Sequence, residues 1–199
     1  MSLDLSIPWD STTPAWIKLA DSPTQRMFPA AFSSDEQTLY VFHIPQSATP
    51  FYYNVKNDIW KELWDARFED TSYDGFQAVT DPRSGLIYIA GGYDSINYNV
   101  TSMKKLDIFD PVDLSIIAEN LPNPEETFPV RWHYGSVWSK VRNSVIYWGG
   151  KTMTDGVSPT YVENGVTELF TKTRTWSTLV SPQFRHLVRC RSFFFSRFV

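Results

Sequence analysis

The feature that most constrains this chain is a short apolar run that returns three times in one register. The copies are Leu39-Tyr40-Val41-Phe42-His43-Ile44, Ile87-Tyr88-Ile89-Ala90-Gly91-Gly92 and Val145-Ile146-Tyr147-Trp148-Gly149-Gly150. Each follows a polar, turn-forming segment (SSDEQT, DPRSG and SKVRNS) and is rich in β-branched and aromatic residues. Such runs read as strands. Unbroken apolarity over strand length predicts cover on both faces. The runs end at positions 44, 92 and 150.

A second marker follows each run. Trp60 closes FYYNVKNDIW, Trp176 closes ELFTKTRTW, and Ile116 holds the equivalent place in LDIFDPVDLSI. An earlier copy, STTPAWIKL, supplies Trp16. This marker therefore stands at positions 16, 60, 116 and 176, in step with the first. A weaker marker, a Pro followed closely by an Arg, opens the next unit at Pro23 to Arg26, Pro129 to Arg131 and Pro182 to Arg185. Markers recurring together at about 50 residues describe an array of like sheet units, each burying its faces against its neighbours.

At this point the residues resemble the kelch family of repeats, in which a diglycine after a hydrophobic strand is followed further along the repeat by a Trp. Gly91-Gly92 and Gly149-Gly150 match the diglycine, and Trp16, Trp60 and Trp176 match the tryptophan. Thr173-Arg174-Thr175-Trp176 matches the corner that precedes it, and Asp110 fits the acidic residue six before the Trp position. The pattern has gaps: His43-Ile44 replaces the first diglycine, Ile116 the second Trp, and Phe170 stands where Asp110 would recur. The resemblance implies an all-β fold, a partial kelch-type β-propeller of three to four blades over residues 1–184, each blade a four-stranded antiparallel sheet. Residues 185–199, RHLVRCRSFFFSRFV, lose the pattern and read as a basic, aromatic tail of a truncated or mis-read blade.

Charge and composition narrow the partners. Residues 169–199 carry Lys172, Arg174, Arg185, Arg189, Arg191 and Arg197 and no carboxylate. The remainder has 12 basic against 22 acidic residues, a net of −10. An acidic body repels phosphate backbones, so nucleic acid is not the expected partner. A single cysteine, Cys190, allows neither an intrachain disulfide nor a cysteine zinc site. No run approaches the roughly 18–20 apolar residues of a membrane helix, and MSLDLSIPWD lacks the layout of a signal peptide. The expectation is a chain with no membrane span, cytoplasmic if complete and extracellular or at the cell surface if a leader is missing. Asn99-Val100-Thr101 is a glycosylation sequon, relevant only in the second case.

Chemistry is not visible in the sequence. His43, His133 and His186 fall in three different units without metal-ligand spacing, and His133 is expected to be structural. Carboxylates such as Glu69-Asp70, Asp94, Glu125-Glu126 and Asp155 lie in hydrophilic loops. The resemblance brings in galactose oxidase, whose copper site uses a Cys–Tyr crosslink, a second Tyr and two His, and no such set stands here. The sequence therefore points to a non-enzymatic scaffold without cofactor that holds a protein partner through loops 93–103 and 151–165. The alternatives are a copper enzyme whose site lies outside this chain, and a cell-surface receptor or carbohydrate-binding ectodomain.

Overall fold

The computed structural model describes residues 2–3, 16–23, 29–42, 50–63, 73–94, 106–119, 131–153, 159–161 and 165–179. Among them there is no helix. Three four-stranded antiparallel sheets follow one another along the chain. The first comprises β3 (Ala30–Phe32), β4 (Thr38–Val41), β5 (Phe51–Asn54) and β6 (Ile59–Glu62). The second comprises β8 (Gln77–Thr80), β9 (Ile87–Ala90), β11 (Leu106–Asp110) and β12 (Ser115–Glu119). The third comprises β13 (Gly135–Ser139), β14 (Ser144–Trp148), β17 (Val166–Phe170) and β18 (Thr175–Leu179). Two-stranded ribbons complete the description: β1 (Ser2–Leu3) with β2 (Trp16–Ile17), β7 (Tyr73–Asp74) with β10 (Tyr93–Asp94), and β15 (Lys151–Met153) with β16 (Pro159–Tyr161).

The registers make the sheets copies of one another. The Trp position lies opposite the third strand each time: Tyr53 pairs with Trp60, Phe109 with Ile116 and Leu169 with Trp176. The four-residue turns just before these positions each end on a left-handed residue, Asp58, Leu114 or Arg174, with φ of 53°, 57° and 55°. Ile116 thus occupies the place of a Trp, as its spacing implied. The acidic marker at Asp110 is a turn device, since its carboxylate accepts the Val112 N–H at 2.9 Å. Asn54 does the same in the first sheet, accepting from the Asn57 N–H at 2.9 Å. Side-chain acceptors of this kind stabilise tight reversals.

Side chains alternate across each strand, and the alternation builds the stack. In the middle sheet Ala78, Ile87, Ile89 and Phe109 join Tyr40, Phe42 and Leu63 of the first sheet in one apolar cluster. Val79, Tyr88, Ala90, Leu106 and Ile108 join Tyr134, Val145, Tyr147 and Leu169 of the third in another. Strand β9 is buried along its whole length, so the expected two-sided cover holds there. Aromatic edges fill the first interface, with Phe109 tilted against Tyr40 at 5.2 Å and Phe42 at 5.5 Å. Strand β8 lies alongside both β3 and β13, whereas the fourth strands do not approach one another as closely. The sheets therefore converge at their first strands and spread at their fourth.

Candidate functional site

A four-stranded meander puts its first and third reversals at one end and its second at the other. The first and third reversals here take four to six residues. The second reversals span residues 42–50, 91–105 and 149–165, and the links between sheets, 63–76 and 120–134, leave from the same end. All long connections thus gather at one end, and that end is the candidate site.

Its base is rigid. Gly91-Gly92 and Gly149-Gly150 all have positive φ, from 66° to 93°. A Cβ on Gly91 would stand 2.7 Å from the Tyr134 ring and 2.9 Å from the Arg131 carbonyl, and one on Gly150 would stand 2.8 Å from the Trp132 carbonyl. Gly91 and Gly150 are needed because the lead-in of the third sheet crosses them. The Gly92 N–H donates to the Arg131 carbonyl at 3.1 Å, and the Tyr134 hydroxyl donates to the Ala90 carbonyl. Burial pushes the Tyr134 phenol up, outweighing the pull of Arg131. In the same stretch the His133 N–H donates to the Gly75 carbonyl at 2.9 Å, tying the two lead-ins together.

Arg131 is fully buried, and its guanidinium donates to the Gly165 carbonyl at 3.1 Å and the Thr167 hydroxyl at 2.8 Å. It closes the root of the 149–165 connection. Burial pulls its pKa down to about 10, so it remains charged at neutral pH. From this base the ribbon β15–β16 continues the second hairpin of the third sheet outward, and the ribbon β7–β10 extends the open end of the β8–β9 pair. On the latter, Lys151 lies 5.7 Å over the Tyr161 ring, which is exposed.

The opposite end is sealed by short polar contacts. Thr171 donates to Asp81 at 2.8 Å, and Arg83 pairs with Asp81 at 3.0 Å while stacking 5.0 Å over Trp138. Burial would raise Asp81, yet the bonds from Arg83 and Thr171 outweigh it and hold the carboxyl below its ordinary value. Arg142 clasps the buried Glu168 at 2.5 and 2.7 Å and lowers its pKa, with Ser144 adding a further bond. A groove of about 320 Å³ beside the first strands is lined by Phe32, Ser34, Thr80, Ser136 and Trp138. Its Thr80 hydroxyl is already committed to the Phe32 carbonyl at 2.5 Å.

Of the residues singled out in the sequence, Gly91, Gly92, Gly149 and Gly150 come together at the candidate site. Trp60 and Trp176 are half-buried: Trp176 packs on the second apolar cluster, and Trp60 donates to the Ala20 carbonyl at 3.2 Å. Trp16 lies on β2 opposite Leu3. His133 is exposed in a left-handed turn, φ 51°. Among the described residues no three His, Cys, Asp or Glu side chains group as metal ligands, and no helix is long and apolar enough to cross a membrane. Asn99, His43, His186, Cys190 and most of loops 93–103 and 151–165 lie outside the described residues. The Tyr134 contact, the Asp81–Arg83–Thr171 clasp and the Gly135–Trp148 fit escaped sequence reasoning. In that fit a Cβ on Gly135 would fall 2.4 Å from the indole. The one signal was the small residue opposite a large one in paired strands.

No protein-family model and no curated protein matches this chain. Among solved structures, that of YjhT aligns with a TM-score of 0.62 at 18% identity, over 85% of this chain and 56% of YjhT. The chain spans little more than half of that protein's length, and the likeness is one of fold.

Proposed function

We propose that this chain is part of a kelch-type β-propeller that works as a non-enzymatic scaffold and holds a protein partner on its long-connection end. The observation that carries the reading is the segregation of loops. Every second reversal and every link between sheets leaves from one end, above glycine pairs and a buried arginine that fix its base. The convergence of first strands supports a radial arrangement, since wedge-like sheets stack around an axis. A rigid base with variable connections is the usual layout of a recognition surface.

The test replaces residues 95–103 and 154–158 with short Gly-Ser turns and compares partners captured by crosslinking and mass spectrometry. The expected result is loss of specific partners with unchanged circular dichroism and melting. Equivalent replacement of the exposed residues 172–174, which leaves the buried Thr171 in place, is expected to leave capture intact. Capture that survives the loop exchange rejects the reading.

A further inference from the structure

Each end of the stack exposes a sheet face whose counterpart inside the stack is covered. On the third sheet, Val137, Ile146 and Trp148 hold the register places of Val79, Tyr88 and Ala90, which the third sheet itself covers. Val137 is 49% exposed and Trp148 38%. On the first sheet, the Phe32–Leu39 pair holds the place of Thr80–Ile87, which abuts the first sheet, and Phe32 is 48% exposed. Both faces are open at their inner strands, while farther out Val166 and Glu168 on the third sheet and Tyr53 on the first are buried. Inner strands are what the existing joints bring together, β3 with β8 and β8 with β13. The first reversals of the two end sheets carry opposite charges. That of the first sheet exposes Asp35 and Glu36, and that of the third exposes Lys140 and Arg142. Along the stack these reversals lie side by side: a Cβ on Gly85 would stand 3.7 Å from the Ser34 hydroxyl, and Arg83 donates to the Asn143 carbonyl at 3.5 Å.

We infer that a second copy of this chain covers both faces, the third sheet of each copy seated on the first sheet of the other, so that three sheets from each close one ring of six. Charge sets the head-to-tail order. It brings Lys140 and Arg142 beside Asp35 and Glu36 of the second copy, whereas third sheet on third, or first on first, brings like charges together. Val137 and Trp148 leave water against Phe32, which favours the joint. A head-to-tail joint closes when the rotation per unit fits a ring. Sheets that converge at their first strands supply such a rotation, and six lies within the four to eight of propellers. The chain spans little more than half of YjhT's length, so a fold of this kind accommodates that number. The inference rests on the radial part of the proposed reading and not on its partner. Capture at the long connections and closure of the ring can each fail alone, since the loop exchange alters neither Phe32 nor Val137.

The test is sedimentation of the full chain over a range of concentrations. The unaltered chain is expected to form a species of twice its own mass. Val137→Asp blocks the third-sheet side and Phe32→Asp the first-sheet side, and each alone is expected to raise the dissociation constant at least about tenfold. Mixing the two variants is expected to recover a two-copy species, because Phe32 of one then meets Val137 of the other at one intact joint. V112D, at a turn tip where Val112 is 93% exposed, is expected to change nothing. If circular dichroism shows that either aspartate unfolds the chain, E36K and K140E repeat the design: each alone weakens association, and the two in one chain restore it. A chain that stays single at every concentration overturns the inference. So does a dimer that F32D leaves intact, which assigns third sheet to third sheet, and so does a failure of the paired variants to restore association. Mass that keeps growing with concentration makes the joint an open series and overturns the ring.

Discussion

At one end of the stack the chain reverses in four to six residues, and at the other its connections run from nine to seventeen. The short end is held by side chains: Asp110 and Asn54 accept backbone N–H groups within their own turns, and Asp81, Arg83 and Thr171 bridge two sheets. The long end is held by backbone fit: glycine pairs allow the Arg131 carbonyl and the Tyr134 ring to cross at contact distance. A side-chain network tolerates substitution one bond at a time. A close backbone crossing does not, because no rotamer can relieve it. Residues at the end with unequal connections are therefore set by what crosses them, not by the connections they carry.

The largest expected effect tests that contrast inside the diglycines. Gly91→Ala places a methyl against Tyr134 and Arg131 and forces an alanine to φ 70°. The expected loss is about 3 kcal/mol, from overpacking and left-handed strain together. At Gly149 a Cβ meets nothing within 4 Å, and only φ 66° opposes it. Gly149→Ala is expected to lose about 1 kcal/mol. Urea unfolding midpoints of the two variants decide the matter. Equal losses break the claim that crossing chains, and not turn geometry alone, require glycine.

Acid separates the ends next. Asp81 and Glu168, both on the short side, have pKa values held below those of free carboxyls. A depressed folded-state pKa contributes stability that is present above the unfolded value, near 4, and is lost as pH falls through the folded one. Melting temperature is therefore expected to drop on acidification below about pH 4. In Asp81→Asn with Glu168→Gln the drop is expected to shrink, from a lower starting point. An unchanged acid slope breaks the assignment of these two groups. At the long end, Tyr134→Phe removes the hydroxyl bond to Ala90 and is expected to cost about 1 kcal/mol at all pH values below the phenol's raised pKa.

The sheet units were legible because burial on two faces leaves an unbroken apolar run, as in Ile87-Tyr88-Ile89-Ala90. The Trp register was legible even through Ile116, because the turn before it keeps its length. Asp110 was legible as a position but not as a role: the matching turn acceptor in the first sheet is Asn54, a different residue type at the same register, which accepts from the residue three on rather than two. The clasp of Asp81, Arg83 and Thr171 was hidden since it joins side chains on two turns that lie far apart in the chain. The glycine pairs were visible, yet their reason was not, for what they accommodate is a carbonyl and a ring from the lead-in of the third sheet. Pattern reports periodicity well. It reports partners only where they share the period.

The smallest expected effect sharpens the account of the short end. Glu36 sits in the first reversal of the first sheet at φ 58°, without the glycine found in the first reversal of the second sheet, Gly85 at φ 77°, or the asparagine in that of the third, Asn143 at φ 52°. A left-handed non-glycine residue costs roughly 1–2 kcal/mol, and Glu36 is exposed, so its side chain offsets little of that by packing. Glu36→Gly removes the strain but adds freedom to the unfolded chain, worth about 0.4–1 kcal/mol against it. The net expectation is a gain of about 0.5 kcal/mol, read as a higher urea midpoint at unchanged slope. Glu36→Asn is expected to gain less, because asparagine tolerates this region without being free in it. A loss in both variants would mean that the glutamate side chain itself holds the turn, and the short end would then depend on its side chains more heavily than its backbone angles imply.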